Sequence, residues 1–359
     1  MNRKVRYVQF GCGKMGVNCV KFAVDKGADI VGAFDANPAI EGMDIGERAG
    51  IQKLDVKIQK AEELDETLKS LKPDIAVVTT RSLVKEIYDV VMICVKNGVN
   101  VITSCEESIY PWTSSPRLTK ELDEAAKANG VTITGSGAQE LQWCSTICNL
   151  AGGINHITKI KGIQNNNIEL YGIAFAESFG AGLTEQEFES KFGPLNNMSD
   201  AEINAIIERE EFSPGFFWNS NPWLIEKLGF TLKRQKQTMI PVIAEKDIKS
   251  ESLGRMIKKG EARGAINMVT SETEEGLVIE AGVKAIVCGE DEGESNDWIL
   301  YDGDVEFVTN QPLPPTVELT CSTLVNRIPD VINAEAGFVT TNNMPNCTYL
   351  VKSMEQYVK

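Results

Sequence analysis

The chain has 359 residues, 24% of them charged, and a formal net charge of −15 at pH 7, as expected for a globular protein of two domains. The acidic balance disfavours nucleic acid and anionic membrane surfaces as partners. No apolar run is long enough to cross a bilayer and no signal-like segment opens the sequence, so we expect a cytoplasmic protein. Nine scattered cysteines without a CxxC pair indicate neither a disulfide framework nor a metal site.

Strands and helices alternate through residues 1–150 at intervals typical of a parallel sheet. The strands are apolar without strict alternation, as expected where helices cover both faces. This pattern predicts an α/β fold, a doubly wound parallel sheet of the Rossmann type. The predicted strands are Val5–Phe10, Asp29–Phe34, Ile75–Thr79, Val99–Ser104 and Val131–Thr134, and the predicted helices include Met15–Lys26, Leu83–Asn97 and Leu118–Asn129.

Residues 151–317 have longer and more polar strands, which predicts a second, α+β domain with a largely antiparallel sheet. The acidic, glycine-bearing segments SETEEG and GEDEGESND are typical of hairpin connections. The stretch TCSTLVNRIPDVINAEAG predicts a helix, so we expect residues 318–359 to return to the first domain. The predicted strands here are His156–Gln164, Ile266–Thr270, Leu277–Val287 and Trp298–Val308, and the predicted helices are Thr184–Phe192 and Asp200–Glu210, the latter capped by Ser199.

The segment GCGKMG directly follows the first strand and opens a helix. Its glycines, Gly11, Gly13 and Gly16, have the GxGxxG spacing of a dinucleotide-binding turn. Asp35 ends the second strand, where a carboxylate binds the adenosine ribose hydroxyls. Because a carboxylate repels a 2′-phosphate, NAD is favoured over NADP, although Lys14 offsets this in part and leaves NADP possible. The predicted cofactor contacts in this turn are Gly11, Cys12, Gly13, Lys14, Met15 and Gly16.

Polar side chains follow two further strands at the edge where open α/β sheets bind their ligands. Thr79, Thr80 and Arg81 come after one strand, and Ser104 ends the next. We expect these four residues to contact the cofactor. For Arg81, the alternative is an ordinary surface arginine.

A nicotinamide enzyme needs a group that manages the proton released with the hydride. The single histidine, His156, is expected to be a hydrogen-bonded sheet residue, and no Tyr-x-x-x-Lys pair lies near the cofactor region. Glu106 and Glu107 follow the strand Val99–Ser104 and are suited to an amine substrate, since a carboxylate both holds an ammonium group and accepts its proton. The alternative is that two adjacent glutamates are simply exposed.

Only one of the two glutamates is expected to reach the substrate, because side chains alternate along an extended strand. We favour Glu106 as the catalytic base and Glu107 as an anchor that raises its neighbour's pKa. The segment TGSGAQELQWC lies beyond the next strand, and its Gly137, Gln139 and Gln142 are candidate substrate contacts. The alternative for that segment is a glycine-bearing loop that caps the following helix.

Taken together, GCGKMG, Asp35, GMDIGE at 42–47, TSCEE, TGSGAQ and TLVNRIPDVINAEAGFVT resemble the family of 2,4-diaminopentanoate dehydrogenases. That family belongs to the dihydrodipicolinate reductase-like group, which includes native amine dehydrogenases. The likeness covers almost the whole chain. It departs from true dihydrodipicolinate reductases, which carry a histidine-rich catalytic stretch, and from sugar oxidoreductases, whose E-K-P lysine is absent here.

The resemblance implies a homodimer in which the second domain covers the substrate and supports dimerisation. It implies oxidative deamination of 2,4-diaminopentanoate at C4, giving 2-amino-4-oxopentanoate and ammonia in ornithine degradation, with a glutamate, Glu106 or Glu107, serving the amine chemistry. Further candidate substrate contacts are Glu177 and Asn326, with Arg327, Trp218 or Trp223 as other possibilities.

Two other functions are compatible with these patterns. The same fold could reduce a cyclic imine or oxidise hydroxy acids or sugars. More remotely, the chain could be a dinucleotide-sensing module without catalysis.

Overall fold

The computed structural model describes residues 3–359 and divides them into two compact units. The first unit contains the residues up to Ser145 together with Pro315–Lys359, and the second contains Thr146–Pro314. The sequence-based boundaries were placed after residues 150 and 317.

The first unit begins with a repeated strand–helix pattern. Its strands are β1 (Arg6–Phe10), β2 (Asp29–Asp35), β3 (Ile58–Lys60), β4 (Ile75–Val78), β5 (Asn100–Thr103) and β6 (Thr132–Gly135). Its helices are α1 (Lys14–Asp25), α2 (Ile45–Arg48), α3 (Leu64–Leu71), α4 (Val84–Lys96) and α5 (Pro116–Asn129). The strand β4 is buried at every position, because helices pack on both faces of the sheet.

The second unit combines a mixed sheet with several helices. Its strands are β7 (Ile157–Asn167), β8 (Leu232–Ile243), β9 (Ile248–Ser250), β10 (Arg255–Ile257), β11 (Ala262–Thr273), β12 (Val278–Ile286), β13 (Ser295–Asp302) and β14 (Val305–Pro312). Its helices are α6 (Thr146–Ala151), α7 (Ile173–Ser178), α8 (Glu185–Asn196), α9 (Asp200–Glu208) and α10 (Phe216–Lys227). Six strands form one sheet in the order β14-β13-β7-β12-β11-β8, in which only the β7–β12 pair is parallel.

The last segment returns to the first unit through α11 (Thr316–Asn333) and β15 (Gly337–Phe338). Buried side chains of α11, including Leu324 and Ile328, join the core that contains Val5 and Val20. The complete sheet is parallel, in the order β15-β6-β5-β4-β1-β2-β3. The chain reverses its winding direction between β1 and β4, so the carboxyl ends of these strands form a crevice suited to ligands.

The predicted fold class is confirmed, a Rossmann-type parallel sheet followed by an α+β unit with a mostly antiparallel sheet. Ser199 caps α9 as predicted, since its side chain accepts a hydrogen bond from the backbone N–H of Glu202. None of the helices within residues 3–359 combines the length and the apolar character that a membrane span requires.

Two details of the second sheet were predicted wrongly. SETEEG does connect the antiparallel pair β11–β12, but GEDEGESND joins β12 to β13, which are separated by β7. The range Trp298–Val308 is not one strand, because a tight turn at Gly303, with a φ of +59°, separates β13 from β14. The sequence did contain the signal for this turn, since Asp302-Gly303 is a dipeptide preferred in two-residue hairpin turns.

Candidate active site

The three glycines of the GCGKMG loop have three different surroundings. Gly11 has a φ of +88°, and a Cβ there would lie 2.8 Å from the carbonyl oxygen of Thr79. A Cβ at Gly16 would lie 1.8 Å from the carbonyl oxygen of Gly11, so the first turn of α1 packs directly on the loop. A Cβ at Gly13 would meet nothing within 4 Å. This geometry fits a dinucleotide, since the middle glycine leaves room for a diphosphate.

The start of α1 is built to receive negative charge. No side chain caps it, and its first turn contains no acidic residue. Its first backbone N–H groups and the positive end of the helix dipole therefore favour an anion, which is the role expected of the cofactor diphosphate. The exposed Lys14 is the first residue of this helix.

The adenosine side of the loop carries one carboxylate and one guanidinium group. Asp35 accepts hydrogen bonds from the backbone N–H groups of Cys12, at 2.6 Å, and Asn37, at 2.8 Å. Arg48 donates from Nε to the carbonyl oxygen of Cys12 at 2.9 Å. Burial, together with the nearby Asp35, raises the pKa of the Cys12 thiol to about 12, so this cysteine is an uncharged packing residue.

The buried side-chain amide of Gln9, which the sequence analysis did not identify, supports the glycine loop. Gln9 is fully buried in β1 and donates to the carbonyl oxygen of Gly11 at 3.0 Å and to Oγ1 of Thr79 at 2.9 Å. Thr79 in turn donates to the same carbonyl oxygen at 3.1 Å. The available signal was a single amide within the apolar run YVQFG. Thr79 therefore positions the loop, and Gln9 fixes Thr79.

The chain leaves β5 through a sharp turn. The hydroxyl of Thr103 donates to the carbonyl oxygen of Val78 at 2.9 Å and accepts from the N–H of Cys105 at 3.0 Å. A short 3₁₀ helix, Glu106–Ile109, follows. The expectation that the strand continues through both glutamates, so that they point to opposite faces, was wrong. In a 3₁₀ helix successive side chains are about 120° apart, which still separates the two carboxylates.

Glu106 is partly buried and has no ion-pair partner among residues 3–359. Burial raises the pKa of its carboxyl group above the usual value, and the nearby Glu86 acts in the same direction. A hydrogen bond from the Ser82 side chain lowers that pKa in part. Sequence reasoning missed Ser82, which lies just before α4. The resulting group is a carboxylate held without a neutralising cation, as required of a proton acceptor.

Glu107 has a different environment. Its side chain is 4% exposed and accepts a hydrogen bond from the backbone N–H of Val84, at 2.6 Å, at the start of α4. Its own backbone N–H donates to the carbonyl oxygen of Ser82 at 3.1 Å. A carboxylate at this position stabilises the helix terminus. These contacts support the anchoring role that the sequence suggested for Glu107, but the neighbouring carboxylate that raises the pKa of Glu106 is Glu86 and not Glu107.

The loop after β6 packs tightly against both neighbouring segments. A Cβ at Gly135 would lie 2.3 Å from the backbone of Ser108, so β6 supports the turn that carries Glu106. Gly137, with a φ of +140°, lies against Thr320 of α11, whose hydroxyl accepts from the N–H of Ala138 at 3.2 Å. Both glycines therefore allow close packing within the first unit, Gly135 against the backbone of Ser108 and Gly137 against the side chain of Thr320.

Glu140 and Arg327 form an ion pair that is excluded from water. Glu140 is 0% exposed and Arg327 is 1% exposed. Arg327 donates to the same carboxylate oxygen from Nε, at 2.9 Å, and from Nη2, and Ser136 donates to the other oxygen. The sequence had suggested Arg327 as a further possible substrate contact, but its guanidinium group is buried and paired with Glu140. Its actual role is to fix α11 to the loop after β6.

The remaining candidate residues are divided between the two units. Gln139 and Gln142 lie in the same segment as Glu140, with Gln142 buried. Asn326 lies on α11 and has a buried Oδ1 atom that accepts no hydrogen bond within the described range 3–359. Glu177 is exposed on α7 of the second unit.

Three residues that the sequence highlighted are less suited to chemistry. His156 precedes β7 and is exposed, so the expectation of a hydrogen-bonded sheet residue was wrong. Trp218 and Trp223 are buried within α10 and belong to the core of the second unit.

Two family models together match nearly the whole chain. Residues 144–359 match the 2,4-diaminopentanoate dehydrogenase C-terminal domain, and residues 5–107 match the dihydrodipicolinate reductase N-terminus. Among curated proteins, 2,4-diaminopentanoate dehydrogenase from Acetoanaerobium sticklandii is 24% identical over 348 residues, covering 95% of this chain and 94% of the relative. The 4-hydroxy-tetrahydrodipicolinate reductase from Methanocaldococcus jannaschii is 38% identical over 121 residues, which is 33% of this chain and 41% of the reductase.

A solved structure supports the same grouping. An amine dehydrogenase from Mycobacterium smegmatis matches with a TM-score of 0.80 and 32% identity, covering 98% of this chain and 99% of that one. A probable dehydrogenase from Thermotoga maritima has a TM-score of 0.56 at 10% identity, covering 94% and 92% of the two chains, a likeness that shows the fold alone.

Proposed function

Because the chain belongs to the 2,4-diaminopentanoate dehydrogenase family, we propose that it oxidises 2,4-diaminopentanoate at C4 with NAD or NADP and releases ammonia. The product is 2-amino-4-oxopentanoate. The proposal is supported above all by Glu106, a carboxylate with a raised pKa and no paired cation within residues 3–359, at the ligand-binding edge of a dinucleotide-binding sheet.

Glu106 acts first on the substrate's C4 ammonium group. Its carboxylate attracts this cation and accepts one proton, because only a neutral amine can release a hydride from the carbon that bears it. Loss of the hydride leaves an iminium carbon, which a water molecule attacks after giving a proton to a base. Transfer of a proton to the nitrogen then allows ammonia to leave. The sum consumes the ammonium substrate, oxidised cofactor and water, and yields ketone, ammonium, reduced cofactor and one proton.

The bound nicotinamide supplies the hydride acceptor for this reaction. The N–H groups at the start of α1 would hold its diphosphate, and Gly13 leaves space for that group to approach. Asp35 would bind the adenosine ribose. Arg48 donates to the carbonyl oxygen of Cys12, the residue whose N–H donates to Asp35, and its positive charge suits a 2′-phosphate, so we expect NADP to be accepted beside NAD. The further cofactor contacts that we propose are Cys12, Lys14, Met15, Thr79, Thr80 and Ser104.

The substrate contacts other than Glu106 are proposed from the sequence. In the first unit, Asn326 has an acceptor oxygen without a protein donor among the described residues, which suits a second ammonium group. The other proposed contacts are Gly137, Gln139, Gln142 and Glu177.

We further propose a cytoplasmic homodimer that takes part in ornithine degradation. Nine cysteines without disulfide bonds support a reducing compartment. The edge strand β14 presents Val305 and Val308, which are 58% and 65% exposed, and suits a contact between copies. Light scattering on the purified protein will give the mass in solution, and a monomer would overturn the dimer.

A substrate panel tests the activity. Formation of reduced cofactor should be fastest with 2,4-diaminopentanoate and slower with ornithine and simple amines. Faster turnover of cyclic imines, hydroxy acids or sugars would favour the other reactions of this fold. Tight cofactor binding without turnover of any compound would favour the non-catalytic module.

A further inference from the structure

Arginines in this acidic chain are almost all neutralised by carboxylates. The sequence contains ten arginines and 51 acidic residues. Eight of the ten form ion pairs with a carboxylate. The two that pair with no carboxylate in the part of the chain that the structure describes are Arg48 and Arg81. Both lie at the ligand-binding edge of the parallel sheet, one beside the glycine loop and one after β4.

Arg48 and Arg81 lie on different sides of that edge. Arg48 donates a hydrogen bond to the carbonyl oxygen of Cys12, and the N–H of Cys12 donates one to Asp35 at the end of β2. Arg81 follows Thr80, whose methyl group would lie 2.7 Å from a Cβ at Gly11. Because β1 separates β2 from β4 in the sheet, Arg48 belongs to the adenosine side and Arg81 to the opposite side.

Arg81 is directly followed by the residue that contacts both glutamates. The Ser82 side chain hydrogen-bonds to the carboxylate of Glu106, and the Ser82 carbonyl oxygen accepts from the N–H of Glu107 at 3.1 Å. Arg81 itself is exposed and makes no hydrogen bond or ion pair within residues 3–359. A free cation and an unneutralised carboxylate are thus connected through a single serine. A zwitterionic substrate, with an ammonium group at one end and a carboxylate at the other, needs such a pair of opposite charges.

We infer that Arg81 binds the substrate's carboxylate and thereby makes the enzyme selective for amino acids over simple amines. This inference rests on the proposed function. Guanidinium groups bind carboxylates through two parallel hydrogen bonds, which gives orientation as well as affinity. With Glu106 on the C4 ammonium and Arg81 on the carboxylate, the substrate is held at both ends, and C4 is presented in one orientation.

The cofactor diphosphate is the other anion that Arg81 could meet. That group already has the uncapped N–H donors of α1. Kinetic measurements distinguish the two ligands. Loss of a diphosphate contact affects every amine substrate equally, whereas loss of a carboxylate contact affects only substrates that carry a carboxylate.

The test compares 2,4-diaminopentanoate with 2,4-diaminopentanamide, in which an uncharged amide replaces the carboxylate, in the intact enzyme. We expect the wild type to prefer the acid, and Arg81→Met to lower kcat/KM for the acid by about 10- to 100-fold while leaving the amide nearly unchanged. The KM for NAD should change little. Arg81→Lys should retain part of the preference for the acid, since lysine keeps the positive charge but cannot donate two parallel hydrogen bonds. Arg117→Met is the matched control, because it removes an exposed arginine that pairs with Glu121 on α5.

Two kinetic outcomes would overturn the inference. Equal losses for acid and amide together with a raised KM for NAD would assign Arg81 to the diphosphate. Unchanged kinetics would make it an ordinary surface residue. Absence of turnover with every amine would overturn the proposed function instead. In that case, binding of 2-amino-4-oxopentanoate and of its amide, measured by thermal shift with NADH, still tests Arg81. Equal stabilisation of wild type and Arg81→Met by the acid would contradict its role.

Discussion

Two neighbouring strand ends in the first unit each hold a glutamate, in opposite ways. The loop after β6 buries Glu140 completely and neutralises it with Arg327 and Ser136. The turn after β5 holds Glu106 partly buried, with a serine hydroxyl and no ion-pair partner in the described residues. Burial disfavours a negative charge in both places, but only the loop after β6 supplies a positive charge to compensate that cost.

The difference distinguishes a glutamate that stabilises the fold from one that is available to a substrate. A carboxylate that is paired within the protein has no capacity left for a substrate cation. An uncompensated carboxylate gains most from an incoming ammonium group, and its raised pKa suits it to receive a proton. The pairing of a buried acid therefore indicates its role better than its burial does.

The largest expected effect comes from removing the uncompensated charge. Glu106→Gln keeps the shape and the contact with Ser82 but cannot accept a proton. We expect kcat to fall by about 10²- to 10⁴-fold, while the dissociation constant of NAD, measured by fluorescence titration, stays close to that of the wild type. Glu107→Gln is the matched control and should retain most of the activity. Equal loss in both variants would contradict the distinction between the two glutamates.

Removing the compensating charge should instead damage stability. Arg327→Met leaves Glu140 buried without a counter-ion, so we expect the free energy of unfolding to fall by about 3–5 kcal/mol. Urea denaturation followed by tryptophan fluorescence will measure it. The double variant Arg327→Met with Glu140→Leu should recover a large part of the loss, because no charge then remains buried. A double variant less stable than the single one would argue against simple charge compensation.

A smaller effect is expected at Arg48, the arginine on the adenosine side. Arg48→Met should lower kcat/KM with NADP by about 10-fold, the equivalent of one lost charged hydrogen bond, and change it little with NAD. The ratio of the two values measured on one preparation is the readout. Equal losses with both cofactors would show that Arg48 only supports the Cys12 peptide.

The smallest expected effect is a shift in pH dependence. The Ser82 hydroxyl lowers the pKa of Glu106, and Glu86 raises it. The catalytic base must be ionised, so Ser82→Ala should move the acid limb of kcat/KM to higher pH, whereas Glu86→Gln should move it to lower pH. Shifts in the same direction would show that these residues act through the fold rather than through the carboxylate.

The sequence was sufficient for the fold class, the family and the glycine loop, because these depend on local spacing. Gly11, Gly13 and Gly16 are recognisable from a motif of six residues, and each was found in the kind of environment that its position requires. The pairing of Glu140 with Arg327 was not predictable, since 187 residues separate them and only the return of α11 brings them together.

The same limit applies to the turn after β5. Nothing in TSCEES indicates that the Thr103 hydroxyl would end the strand or that Ser82 would contact Glu106. Gln9 and Arg48 were missed for a similar reason, because their partners lie on other strands and loops of the sheet.

The pH–rate profile of kcat/KM in three proteins tests the central claim most directly. If Glu106 is the base, the profiles of the wild type and of Glu107→Gln rise through a pKa above the ordinary glutamate value, because burial disfavours the charged form. The profile of Glu106→Gln should lack this acid limb. Persistence of the limb in Glu106→Gln, together with its loss in Glu107→Gln, would contradict the assignment and make Glu107 the proton acceptor.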